Sequence, residues 1–70
     1  MKNNLKDLRT ERKLTQLKVQ MDTGIEQSVL SKYENEHRMP PADVLVTLSN
    51  YYGVSIDYIL CQSKTPDRLP

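Results

Sequence analysis

Hydrophobic positions along this chain recur at helical spacing and are punctuated by residues that stop helices. Leu5 and Leu8 supply an apolar stripe to a first segment reaching Lys13, with Asn3 or Asn4 as its cap and Asp7 in its first turn. Leu14-Thr15 breaks that polar run, and the Thr15 hydroxyl can cap a second helix from Gln16 to about Asp22. Gly24 ends it, where a chain leaving one helix and entering another at a steep angle needs a residue that accepts positive φ. From Glu26 to Asn35, Ile25, Val29, Leu30 and Tyr33 gather on one side while Gln27, Ser28, Ser31 and Lys32 fall on the other.

Pro40 and Pro41 forbid continuation of that third helix. Pro41 suits the first position of a fourth, in which Val44, Leu45, Leu48 and Tyr52 recur at helical spacing until Gly53. Ser55 can cap a last short helix, with Asp57 near its positive end and Ile56, Ile59 and Leu60 facing inward. After Cys61, the stretch QSKTPDRLP has two prolines and little to bury, so residues 62–70 are expected to form a flexible tail. The pattern describes one all-α domain over residues 1–61, with no internal repeat.

Composition narrows the field. The apolar supply is chiefly Leu, Ile and Val, with no Phe or Trp, which suits a small helical domain. The formal net charge is only +1, so affinity for a polyanion must come from where the charges sit. No apolar stretch approaches the roughly 18 residues of a membrane span, and MKNNLKDLRT lacks a signal-peptide core. A cytoplasmic location is therefore expected, and a single cysteine agrees with a reducing compartment.

Five short helices with a glycine turn between the second and third describe a helix-turn-helix domain, whose projecting helix enters the major groove of DNA. LTQ at 14–16, Gly24-Ile25, Leu30, Tyr33-Glu34-Asn35, Pro40 and LSNYYGVSIDYIL at 48–60 together make the sequence similar to the Cro/C1-type (XRE) helix-turn-helix regulators. The order and spacing of these pieces carry the signal, since YEN or GVS alone recurs by chance. The resemblance covers nearly the whole chain up to Cys61. It implies a compact five-helix, lambda-repressor-like domain that binds double-stranded operator DNA as a homodimer and represses or otherwise regulates transcription.

Carried over position by position, the resemblance places Gln27, Ser28 and Lys32 against base edges. Glutamine can pair with adenine N6 and N7, lysine with guanine O6 and N7, and serine with either. Gln16, Asn35, Arg38 and Ser31 match or border positions that hold phosphates, contacts that set register without reading sequence. Arg9 and Glu34 match a structural ion pair tying the first helix to the end of the third. The same resemblance puts dimer contacts around the fourth and fifth helices, making Tyr51, Tyr58 and Cys61 candidates.

Three positions depart from the family pattern. Gln20 replaces a usual alanine, so its amide must swing to solvent or find partners. Glu26 replaces a usual serine or threonine at the entrance of the third helix. Its charge suits the helix dipole, yet it sits close to phosphates unless it accepts a bond from a cytosine amine. Glu36 stands where glycine is common, so either it is strained or Asn35 takes the left-handed conformation, which Asn tolerates better.

The rival to a DNA reader is an antitoxin or control protein that uses this fold chiefly to hold a partner protein. Leu17 and Met21, i and i+4 on the second helix, are either scattered surface residues or a small partner-binding patch. Against the rival, Lys13, Lys18, Lys32 and Arg38 are expected near the DNA edge. Catalysis is not expected. His37 and Cys61 lie in different elements without a third partner, and there is no metal cluster, P-loop or glycine-rich nucleotide motif, hence no cofactor. His37 reads as an exposed loop residue, and Cys61 as a small apolar filler at a helix end.

Overall fold

A computed structural model describes residues 2–64. Five helices follow in order: α1 (Leu5–Glu11), α2 (Gln16–Thr23), α3 (Gln27–Glu34), α4 (Ala42–Tyr52) and α5 (Ile56–Ile59). Each contributes to one apolar centre built from Leu5, Leu8, Val19, Leu30, Tyr33, Leu45, Leu48, Tyr52, Val54 and Ile59. None of the first four helices is long enough to persist alone, since isolated helices shorter than about 12–15 residues are marginal in water. Their shared core therefore stabilises them. Among the described residues no helix is long and apolar enough to cross a membrane. Of the expected tail, only residues 62–64 are described; residues 65–70 lie outside the described residues.

The caps show how the sequence starts and stops these elements. Thr15 accepts from the Lys18 N–H at 3.1 Å, and Ser55 accepts from the Tyr58 N–H at 3.0 Å. For α1 the two asparagines divide the work. Asn4 holds the cap position, but the bond comes from Asn3, whose Oδ1 accepts from the Leu5 N–H at 3.0 Å. Gly24 at φ 80° has open space where a Cβ would stand, so backbone conformation and not crowding selects glycine there.

Several boundaries differ from the expectations. Helix α1 stops at Glu11, because Lys13 adopts φ 56° and the chain closes on itself: the Lys13 N–H donates to the Thr10 carbonyl and the Leu14 N–H to the Arg9 carbonyl. Pro41 occupies the cap of α4 and not its first turn. At the end of α3 it is Glu36, at φ 64°, that turns left-handed, whereas Asn35 stays at φ −89°. The reason is register. The Glu36 N–H reaches the Tyr33 carbonyl and the His37 N–H reaches the Lys32 carbonyl, a pair of bonds that demands the left-handed residue at 36. Glu36 is also useful there, its Oε2 accepting from the Asn3 N–H at 2.9 Å. Cys61 corrects a further expectation: it is exposed, not a buried filler, and turns left-handed at φ 60° in the same kind of closure.

Candidate nucleic-acid interface

Helix α3 lies across the bundle with Leu30, Tyr33 and Glu34 buried. At about 100° per residue the outward arc then contains Ser28, Ser31, Lys32 and Asn35, while Gln27 sits on the flank next to Glu34 and Gln16. Gln27, Ser28, Lys32, Asn35 and Arg38 are exposed and Ser31 is half-exposed. The polar residues of α3 are thus exposed as the core half of the helix fixes their direction, and Arg38, beyond the helix end, is exposed as well.

Beneath this face the position of α3 is set by a polar clamp. The Arg9 guanidinium grips the Glu34 carboxylate with two bonds, Nε to Oε2 at 2.8 Å and Nη2 to Oε1 at 3.0 Å. Its remaining arm, Nη1, donates to the Leu14 carbonyl at 2.8 Å, and Gln16 Nε2 donates to Glu34 Oε1 at 3.1 Å. One arginine therefore joins α1, the connection into α2, and α3. The fork geometry of guanidinium and carboxylate suits this two-pronged contact. Its bonds to Glu34 raise the Arg9 pKa above the ordinary arginine value. Among the described residues no buried side-chain nitrogen or oxygen lacks a partner.

Gln16 faces both ways. Its amide nitrogen serves Glu34, while its Oε1 lies 3.5 Å from the Gln27 amide nitrogen, at the limit of a hydrogen bond. Gln16, Gln27, Glu34 and Asn35 line an open cleft of about 390 Å³, together with Lys6, Arg9, Thr15 and Leu17. Lys6 was missed in the sequence. Its signal is spacing: it stands one turn before Arg9, so the helix that aims Arg9 at α3 aims Lys6 along the same edge. Asn35 and Ser31 are joined, Asn35 Nδ2 donating to Ser31 Oγ at 3.2 Å. Lys18, expected near the DNA edge, is held by Asp22 at 3.0 Å.

At the entrance of α3 the structure decides between the two alternatives open for Gln20. Gln20 finds a partner and does not swing to solvent: its Oε1 accepts from the Gln27 N–H at 2.7 Å. Helix α2 thereby caps α3 from outside the chain segment that usually does so. Glu26, at the cap position, makes no side-chain capping bond. Asp22 is shared, Oδ1 with Lys18 and Oδ2 with the Tyr51 hydroxyl, which donates at 2.6 Å and ties α4 to α2. Bonds from Tyr51 first, then Lys18, hold the Asp22 carboxyl below its ordinary value; the bond to Asp22 pushes Tyr51 up to about 12.

Residues 3–62 match the helix-turn-helix domain family. The chain belongs to the Cro/C1-type (XRE) helix-turn-helix family. Relatives of this helix-turn-helix chain come from Bacillus subtilis (strain 168). The uncharacterized HTH-type transcriptional regulator YobD is 43% identical over 63 residues, 90% of this chain and 56% of the relative. The HTH-type transcriptional regulator ImmR is 41% identical over 64 residues, 91% of this chain and 50% of the relative. The uncharacterized HTH-type transcriptional regulator YqaE is 39% identical over 57 residues, 81% of this chain and 49% of the relative. This helix-turn-helix chain spans about half the length of these curated relatives. No solved structure matches it significantly.

Proposed function

We propose that this helix-turn-helix domain binds double-stranded operator DNA and regulates transcription, acting as a repressor, with α3 in the major groove. The observation that carries the reading is the outward arc of α3. Ser28 and Lys32 have exposed side chains that make no hydrogen bond or ion pair among the described residues, and the Gln27 side chain makes only a 3.5 Å contact with Gln16. These three read base edges, each good bidentate pair being worth about 1–3 kcal/mol of discrimination. Gln16, Ser31, Asn35 and Arg38 hold the sugar-phosphate backbone around them. Arg9 and Glu34 serve structurally, keeping α3 at a fixed height above the core. The relatives' names as transcriptional regulators support the same reading.

A second copy of the chain completes the binding unit, because a two-fold dimer reads two half-sites about 34 Å apart. The dimer contact falls around α4 and α5, where Tyr58 is half-buried and Cys61, just past α5, is exposed; Tyr51 is already engaged by Asp22 and contributes its ring.

The experiment is a fluorescence-anisotropy titration of the chain against DNA from upstream of its own gene and a scrambled control, across a salt series. Lys32→Ala weakens specific binding and relaxes preference at one base pair. Arg38→Ala weakens binding to all sequences alike and lowers the salt slope by about one unit. Identical behaviour of the two variants on matched and mismatched sites would overturn the division between reading and holding residues.

One observation favours a second reading, in which the fold chiefly holds a protein partner. Leu17 is 52% and Met21 73% exposed, neighbours on α2 away from the core. Replacing both with Glu abolishes partner recruitment under this reading. Unchanged recruitment, with operator binding intact, removes it.

A further inference from the structure

The entrance of α3 carries a carboxylate with no task inside the protein. Glu26 stands at the cap position with φ −59° and ψ 143°, and an aspartate, serine or threonine there would turn its oxygen inward onto the helix amides. That work is divided among other groups. The Gln27 N–H is taken by Gln20 Oε1 at 2.7 Å, and the Val29 and Leu30 N–H groups donate to the Glu26 carbonyl at 3.0 and 2.9 Å. Among the described residues the Glu26 carboxylate has neither a hydrogen-bond nor an ion-pair partner, and the residue is exposed. Gln20 thus releases Glu26. The carboxylate is left directly before Gln27 and Ser28, at the tip of the helix that enters the groove.

An acid at that place is unfavourable unless DNA offers it a donor. Phosphates repel it, and on the major-groove edge guanine shows only the acceptors N7 and O6, and thymine the acceptor O4 and a methyl group. Cytosine offers its N4 amine with no adjacent acceptor. Adenine offers N6 beside the N7 acceptor, which suits an amide with both donor and acceptor better than a carboxylate.

Resting on the DNA-binding reading above, we propose that Glu26 is a specificity-determining residue that accepts a hydrogen bond from the N4 amine of one cytosine and rejects guanine and thymine at that place. Discrimination then arises as much from repulsion of wrong bases as from attraction to the right one. Glu26 adds a fourth reading position to Gln27, Ser28 and Lys32, and it is the one whose effect on non-matching DNA is to weaken binding.

The test is selection of randomised duplexes by the folded 70-residue chain, with sequencing, for wild type, Glu26→Gln, Glu26→Ala and Gln27→Ala. The wild type selects cytosine at one position neighbouring the base pair whose preference Gln27→Ala removes, by about 5- to 100-fold over guanine and thymine. Glu26→Gln, close in shape but uncharged, shifts that position toward adenine. Glu26→Ala loses the preference there, keeps the preferences set by Gln27 and Lys32, and binds guanine- or thymine-bearing sites more tightly than wild type. If both Glu26 variants gain affinity for all sequences alike with every base preference unchanged, the carboxylate only repels and the proposal falls, while the DNA-reading role stands. If the wild type selects no sequence at all, both fall together.

Discussion

Arg9→Ala would leave the Glu34 carboxylate, whose side chain is 4% exposed, with the Gln16 amide as its remaining side-chain donor. Removing one member of a buried ion pair costs about 3–5 kcal/mol, because the other charge is left uncompensated away from water. Arg9 lies nearer the surface, its side chain 14% exposed, so water reaches part of the vacated space and the lower end, about 3 kcal/mol, applies. The Leu14 carbonyl also loses its donor. A chain of this size has roughly 4–10 kcal/mol of total stability, so the loss is roughly 30–75% of it. At about 4–8 °C per kcal/mol for a small domain, Tm falls by about 12–24 °C. Urea unfolding followed by far-ultraviolet circular dichroism, on wild type, Arg9→Ala, Glu34→Ala and the double variant, measures the coupling. Each single change strands the other member of the pair, so the double variant loses less than the sum of the singles by at least about 1 kcal/mol. Additivity within about 0.5 kcal/mol at unchanged m would refute the clamp as the device that holds α3.

Four further substitutions have outcomes set by the structure. Gln20→Ala removes the external cap of α3 and destabilises by about 1 kcal/mol in the same urea assay; full stability would mean that water or Glu26 replaces the bond. Lys13→Gly relieves a left-handed residue at φ 56° and raises stability by about 0.5–1 kcal/mol after the glycine's added unfolded-state freedom is subtracted. Glu36→Gly gains less, because it also deletes the acceptor of the Asn3 N–H, and equal gains would show that this bond contributes nothing. In alkaline titration by ultraviolet absorbance, Tyr51 ionises near pH 12, and Asp22→Asn moves it back toward 10.0, since the Asp22 bond is the main cause of the shift. The sign follows: stability from the protonated Tyr51 hydroxyl is complete below pH 10 and is lost as pH rises through about 12. An unmoved Tyr51 titration in Asp22→Asn would assign the shift to burial.

Local chemistry made much of this protein legible in its sequence. Stripes such as Leu45, Leu48 and Tyr52 announce a helix by period alone, and Thr15, Ser55, Gly24 and Gly53 mark boundaries because caps and left-handed turns are decided within a few residues. The polar arc of α3 is legible for the same reason, since burial of Leu30 and Tyr33 leaves Ser28 and Lys32 nowhere to point but outward. What tertiary structure decided are bonds between segments distant in sequence. Gln20 capping α3, Asn3 answering Tyr33 and Glu36, Asn4 answering Tyr58 and Tyr51 answering Asp22 each depend on where another helix lies. The left-handed residue at 36 belongs with them. Local preference favours Asn35, by the ease with which asparagine adopts that conformation. The closing bonds to Tyr33 and Lys32, and the Asn3 N–H waiting at Glu36, place it one residue later, because a hydrogen bond satisfied across the fold outweighs a modest backbone preference.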